Sequence, residues 1–268
     1  MMPRPLPDKA VIGMVHLPAL PGTPGHTQSA ADILDAAVRD AAVLLDGGVD
    51  GLLLENMHDR PYQRGAAAPE VIAVMTLAAA RVRGMTGRCL GLQILAAANR
   101  EALAVALAAD LDFIRVEGFV FAHVADEGII ESCAADLLRY RRHIGAESVR
   151  IFADIKKKHS AHAITADLGV GETARAAEFF LADGVIVTGE ATGRTANPDE
   201  VAEAKAATKL PVLVGSGITA QNIRPFLAHA DGVIVGSALK ENGDWTRPVS
   251  LERVRDVVAA ARACQEGD

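Results

Sequence analysis

Cysteine, aromatic residues, excess positive charge and long apolar runs are all scarce in this chain, and each scarcity removes a class of protein. The three cysteines, Cys89, Cys133 and Cys264, are an odd number, lie far apart and form no CxxC pair. Neither a disulfide framework nor a cysteine zinc site follows, and a reducing cytoplasm is the expected compartment. Aromatics supply 4 % of the residues while Ala and Val dominate. That composition suits short parallel strands under small-residue helices better than a sandwich. The formal net charge is -7, which argues against nucleic acid as a partner, because backbone phosphates want a surplus of Lys and Arg on one face. No apolar run has the length of a transmembrane segment; Val71 to Val82 reads as an alanine-rich helix flanked at its end by Arg81 and Arg83. The proline-rich start, Met1 to Lys9, lacks the apolar core of a signal peptide.

What is present is a chain of 268 residues, half of them apolar. That length fits one α/β barrel domain, residues 1–268, with no second domain to explain. An internal repeat supports the same architecture. Val49 to Asn56, Leu111 to Gly118, Ala182 to Gly189 and Ala230 to Ser237 each carry an Asp, usually a Gly, and then a short apolar run with a polar or small end. Four further runs interleave with them: Ala10 to His16, Cys89 to Gln93, Val149 to Asp154 and Pro211 to Gly215. Eight short runs separated mostly by helix-length segments predict eight parallel strands with crossover helices.

Helix starts fall in the gaps: a Ser29/Asp32 capping box, Asn99 as a cap, Asn197-Pro198-Asp199-Glu200, Thr219 and Ser250. The Asp-Gly pairs then mark helix-to-strand turns at the bottom. A doubly wound open sheet also alternates strand and helix. The repeat on even strands favours closure, because layers inside a barrel are built from alternate strands.

In such barrels chemistry lies at the C-terminal strand ends. Those ends read Glu55, Glu117, Thr188 and Gly236 on the even strands, and His16, Gln93, Asp154 and Gly215 on the odd ones. Apolar strands ending in His, Glu and Asp at matching positions describe a lined pocket. Arg115 lies two residues before Glu117, so both point the same way. A buried arginine needs a carboxylate, with Glu55 or Glu117 the nearest expected partner.

Gly215-Ser216-Gly217 after the seventh strand and Gly236-Ser237 after the eighth form two small-residue turns where barrels often bind phosphate. After the fifth strand, Asp154, Lys156 and Lys158 share one face for as long as the strand stays extended. His159 and His162 follow. No cofactor is expected; a divalent metal on His16, Glu55, Asp154 and His159 is the lesser alternative. The loop Gly22 to Gln28 has the Pro and Gly content of a lid or rigid rim. Val120 to Glu131 reads as an ordinary surface loop before a helix from Ser132 to His143. No apolar exposed stripe for a partner is evident.

Several segments carry a family resemblance. Ile12-Gly13-Met14-Val15-His16-Leu17-Pro18-Ala19-Leu20-Pro21-Gly22 and Glu55-Asn56-Met57-His58-Asp59-Arg60-Pro61-Tyr62 resemble the BtpA/SgcQ family. Asp126 to Glu131 leading into Leu138-Arg139-Tyr140-Arg141, then Asp154-Ile155, Lys158-His159 and Thr188-Gly189-Glu190-Ala191-Thr192-Gly193 continue the resemblance in order. It implies a (β/α)₈ TIM barrel of the ribulose-phosphate-binding type. One branch of that family is associated with photosystem I accumulation in cyanobacteria, another with sugar-uptake genes beside an epimerase-like protein. Members are often labelled phosphoribosylanthranilate isomerases, which place a catalytic Cys at the end of strand one; this chain has His16 there.

The resulting expectation is an enzyme on a phosphorylated sugar or ribosyl phosphate, an isomerase, epimerase, lyase or glycosidic-cleaving enzyme. Glu55, Glu117 or Asp154 takes a proton and His16 or Lys158 acts as acid or electrophile. Asn56, Gln93, Arg115, His159 and Thr188 contact the sugar, and Gly215, Ser216, Gly217, Gly236 and Ser237 hold the phosphate. The partner is thus a phosphorylated small molecule, with self-association through the outer helices allowed. The alternative is a non-catalytic biogenesis or stability factor for a membrane complex.

Overall fold

The computed structural model describes residues 4–157, 160–189 and 196–265. The chain starts with β1 (Ala10–His16), α1 (Ala30–Asp46), β2 (Gly51–Glu55), α2 (Pro69–Met85), β3 (Cys89–Gln93), α3 (Asn99–Ala108) and β4 (Phe113–Val116). A hairpin of β5 (His123–Ala125) and β6 (Gly128–Ile130) follows, then α4 (Ala134–His143), β7 (Arg150–Ile155), β8 (Ser160–Ala161) and α5 (Val170–Phe179). The chain ends with β9 (Gly184–Val187), α6 (Pro198–Ala207), β10 (Val212–Val214), α7 (Ile223–Leu227), β11 (Gly232–Val235) and α8 (Leu251–Gln265). Strands β1, β2, β3, β4, β7, β9, β10 and β11 close into one parallel barrel, with β11 returning to β1. These are the eight apolar runs of the sequence, so the ring closes where an open sheet would have ended.

Register decides what faces the interior. Met14 aligns with Leu53 and His16 with Glu55, and Glu55 in turn aligns with Gln93. Side chains alternate along a strand, so Ile12, Met14, Leu53, Phe113, Phe152, Ile186, Leu213 and Ile234 pack together inside the ring. The residues between them meet the helices in a second, larger core. Phe113 and Phe152 meet edge to face, 5.4 Å between centroids. Glycines make that possible: a Cβ on Gly91 would lie 2.2 Å from the Phe113 ring, and one on Gly184 would lie 2.3 Å from Phe152. Gly91→Ala is therefore expected to cost about 1–3 kcal/mol through overpacking, read as a lower midpoint in urea. An unchanged midpoint would show that the ring can move aside.

The Asp repeat has a physical cause at the opposite end of the barrel. Each of Asp50, Asp112, Asp183 and Asp231 clamps the preceding barrel strand at one residue: Val11, Leu90, Ile151 and Val212. The Asp carboxylate accepts from that residue's N–H at 2.9, 2.9, 2.8 and 2.7 Å. Its own N–H donates to the same residue's carbonyl at 2.8 or 2.9 Å. A cation from the last turn of α8, α2, α4 and α6 respectively then closes each clamp, as Arg262, Arg83, Arg141 and Lys205. The same device occurs four times around the ring, once for every pair of strands.

Some local expectations are corrected. Asn99 does not cap α3; its amide donates to the Glu117 carbonyl at 2.8 Å, tying that strand end down. Thr219 does not open a helix, because Asn222 accepts from the Thr219 N–H and donates to the Gly217 carbonyl, forming a turn before α7. Val120 to Glu131 is no plain loop: β5 pairs with β6, and also with β8 from the loop after β7. An apolar stripe does exist, since Phe179, Phe180 and Leu181 at the end of α5 are 81 %, 46 % and 68 % exposed. The Ser29/Asp32 box and the Asn197 cap form as expected. Among the described residues, no helix is long and apolar enough to cross a membrane.

Candidate functional site

The inward-facing strand ends meet at the barrel mouth, and His16, Glu55, Gln93, Arg115, Glu117, Asp154 and Thr188 are all buried there. Their pairing differs from the expected one. Arg115 takes neither Glu55 nor Glu117 but Asp154, in a two-point contact with Nε at 2.9 Å and a terminal nitrogen at 3.1 Å. The neighbouring strand places that carboxylate level with the guanidinium fork, a geometry that carboxylate and guanidinium match best. His16 Nε2 stands 3.7 Å from Glu55 Oε2. Glu117 accepts from the Ala97 N–H at 2.9 Å and meets Lys157 Nζ at 3.1 Å. Burial pushes the Glu117 carboxyl above its ordinary range, with Lys157 pulling the other way.

Lys157 was not legible in the sequence. Alternation after Asp154 selects Lys156 and Lys158, but β7 ends at Ile155 and Lys156 takes φ 48°. One left-handed residue breaks the period of two, and Lys157 turns inward onto Glu117. Lys158, His159 and the Glu190 to Gly193 part of the family motif lie outside the described residues.

Asn56 holds loops together. Its oxygen accepts from Leu95 N–H at 2.7 Å and its nitrogen donates to Asp59 at 2.9 Å, while Asp59 accepts from Leu20 N–H at 2.7 Å. The loops after β1, β2 and β3 are thereby joined into a rim, and burial raises the Asp59 carboxyl. Gln93 Oε1 is buried at the mouth with no hydrogen-bond partner among the described residues. Thr188 Oγ1 donates to the Lys156 carbonyl at 3.4 Å.

At the two small-residue turns, glycine serves more than one purpose. A Cβ on Gly215 would lie 3.3 Å from Arg115 and 2.7 Å from Ile186, and one on Gly236 would lie 3.2 Å from His16. These two glycines thus make room for Arg115 and His16, whereas Gly217 is required by its φ of 70°. The N–H groups of Ser216, Gly217, Ser237 and Ala238 donate to no acceptor among the described residues. They form two neighbouring sets of open donors on adjacent strand ends.

Closed ring and alternating helices define a (β/α)₈ barrel, with a polar mouth and open amides at its C-terminal strand ends. The chain belongs to the BtpA family, whose model matches residues 7–263. A mitochondrial protein of Caenorhabditis elegans is 49% identical over 249 residues, 91% of this chain and 90% of the relative. The photosystem I biogenesis protein BtpA of Synechocystis is 36% identical over 251 residues, 93% of this chain and 87% of the relative. Among solved structures, phosphoribosyl anthranilate isomerase from Thermus thermophilus is similar in fold, with TM-score 0.57, 15% identity and coverage of 95% of this chain and 98% of that one.

Proposed function

We propose that this chain is an enzyme that moves a proton on a phosphorylated sugar or ribosyl phosphate, by isomerisation, epimerisation or bond cleavage. The observation that carries the reading is the pair Glu117 and Lys157 at the mouth, a buried carboxylate 3.1 Å from a half-buried amine. A carboxyl that burial holds above its ordinary range, beside an amine, is suited to give and take a proton. In this reading Glu117 is the general acid–base and Lys157 its partner. His16 and Glu55 form a second proton-transfer pair. Asp154 is held in place by Arg115 and acts through it, turning a fixed positive field toward the mouth. Gln93 and Thr188 orient hydroxyls, while Lys158 and His159 are carried from the sequence as further acid and contact. Ser216, Gly217 and Ser237 N–H groups receive the phosphate, with Gly215 and Gly236 keeping the approach open. No cofactor enters these assignments. The isomerase of similar fold, by its own name an enzyme of a phosphoribosyl compound, supports the substrate class.

The test is incubation in D₂O with ribose, ribulose and xylulose phosphates, followed by proton NMR and thermal unfolding. Expected is enzyme-dependent exchange beside the carbonyl. A ligand at about 100 times its Kd should stabilise the fold by about 2.7 kcal/mol. Absence of exchange, together with no thermal shift from any phosphosugar or plain phosphate, would sink the reading.

The competing reading is a scaffold in assembling a membrane complex, and the surface on its side is Phe179-Phe180-Leu181. Exchanging Phe179 and Leu181 for Ser is expected to leave proton exchange intact. If instead partner capture disappears while mouth substitutions do nothing, the scaffold is the function.

A further inference from the structure

The loops after β4 and β7 are joined as one roof, because β5 pairs with both β6 and β8. Beneath that roof lies a small cleft whose walls include His123, Asp154, Lys156, Lys157, His162 and Thr165. Its only carboxylate wall among the described residues, Asp154, has both oxygens on Arg115. Lys156 Nζ donates to the Thr165 carbonyl at 2.9 Å and has no carboxylate partner among the described residues. Lys157 shares Glu117. Among the described residues, counting Arg115, Lys156 and Lys157 against Asp154 and Glu117 leaves one positive charge in excess.

His123 adds a second observation. Its side chain is 5 % exposed, and its Nε2 is buried with no hydrogen-bond partner among the described residues. The ring lies 5.6 Å from that of His162, whose Nε2 meets the Lys157 carbonyl at 2.9 Å. Burial first, then Lys157 and His162, push the His123 imidazole down to about 4, so it is neutral in ordinary buffer. A neutral ring protonated on Nε2 is a single donor in the cleft wall. A buried polar atom without a partner is costly, and a ligand acceptor would relieve that cost.

Position supplies the last element. In the ring of eight strands, β4 stands opposite β11, which carries the Gly236 turn. A group in this cleft and a phosphate at the Ser216 and Ser237 amides would sit on two sides of the mouth. His16, Glu55, Gln93 and Glu117 lie on the inward strand ends of the same mouth.

We propose that His123, Lys156 and Lys157 form a second anion subsite, which receives a second acidic group on the same substrate. The substrate class is thereby narrowed to phosphosugars carrying a carboxylate or another phosphate at the far end. This inference rests on the phosphosugar reading for its first acidic group alone.

The experiment compares Kd values, by calorimetry, for ribulose 5-phosphate, ribulose 1,5-bisphosphate and 6-phosphogluconate. Expected is at least about tenfold tighter binding of one doubly acidic ligand, about 1.4 kcal/mol; which of the two gains says whether phosphate or carboxylate fits. His123→Phe and Lys156→Met, each checked for an unchanged thermal midpoint, are expected to erase that gain and leave ribulose 5-phosphate binding as it was. Equal affinity for singly and doubly acidic ligands, or a gain that survives both variants, overturns the subsite. Titrating inorganic phosphate into protein labelled with ¹⁵N-histidine separates the two readings. If no phosphosugar binds, yet phosphate moves the His123 ring resonances in the parent and not in Lys156→Met, the phosphosugar reading fails and the subsite stands. A silent His123 in that titration, with no ligand bound, ends both.

Discussion

Asp112→Ala is expected to lower the unfolding free energy by about 3–5 kcal/mol, the range for stripping one partner from a buried charge cluster. The Asp112 side chain is 2 % exposed and is shared by Arg83 at 3.1 Å, Arg4 at 3.3 Å and the Leu90 N–H at 2.9 Å. Removing it leaves a nearly buried guanidinium without its counter-charge, held by the Thr86 and Arg88 carbonyls, and a buried strand N–H with no acceptor. Asp231 occupies the equivalent place in the repeat, but its side chain is 33 % exposed and Lys205 is 41 % exposed. Water can replace that ion pair, which is worth about 1 kcal/mol or less. The orphaned Val212 N–H adds about 1 kcal/mol more. Asp231→Ala is therefore expected to cost about 2 kcal/mol or less, and urea unfolding of the two variants ranks them directly. Equal costs would mean that burial does not set the strength of this repeated clamp. If Asp112→Ala does not fold at all, Asp112→Asn, which keeps the Leu90 contact, gives the comparison.

That fourfold clamp explains why so much of the fold was legible in the sequence. An Asp is needed wherever an even strand starts beside an odd one, so it recurs at the same offset before each even apolar run. The helix cations that close the clamp recur as well. Inward parity was also readable, because His16, Glu55, Gln93, Arg115 and Asp154 lie on regular strands where alternation holds, and Glu117 directly follows β4. Legibility failed where regular backbone stops. Lys157 reaches Glu117 because Lys156 is left-handed, and a three-lysine run gives no sign of which residue takes that conformation. His123 is buried because two loops far apart in sequence pair as strands, a contact that local pattern cannot carry. The partner of Arg115 was misjudged for a related reason: strand stagger, which periodicity does not reveal, brings Asp154 level with the guanidinium. Asn56, read as a ligand-facing amide from its place at a strand end, also bonds across loops to Leu95 and Asp59, contacts that periodicity does not reveal.

Glu117→Gln is expected to reduce turnover by about 10²–10⁴-fold, the usual contribution of a positioned acid–base group, while leaving phosphosugar binding in place. The stability effect separates this role from a structural one. The folded carboxyl is raised by burial, so its contribution to stability is fully present below the unfolded carboxylate range and is lost as pH rises through the folded value. At neutral pH an ionised Glu117 is therefore a cost that Lys157 only partly offsets. Gln keeps an acceptor for the Ala97 N–H and carries no charge to desolvate, so the variant should be as stable as the parent at neutral pH, or more so. Toward acid the parent should gain on the variant, which has lost the titrating group. A residue kept for structure alone would behave in the opposite way, losing stability on substitution and leaving the rate untouched. The pH profile supplies a second reading: the parent's rate should show a limb that follows Glu117, and that limb should vanish in Glu117→Gln. Unchanged turnover in a stably folded Glu117→Gln would remove Glu117 from catalysis and move the acid–base role to His16 and Glu55.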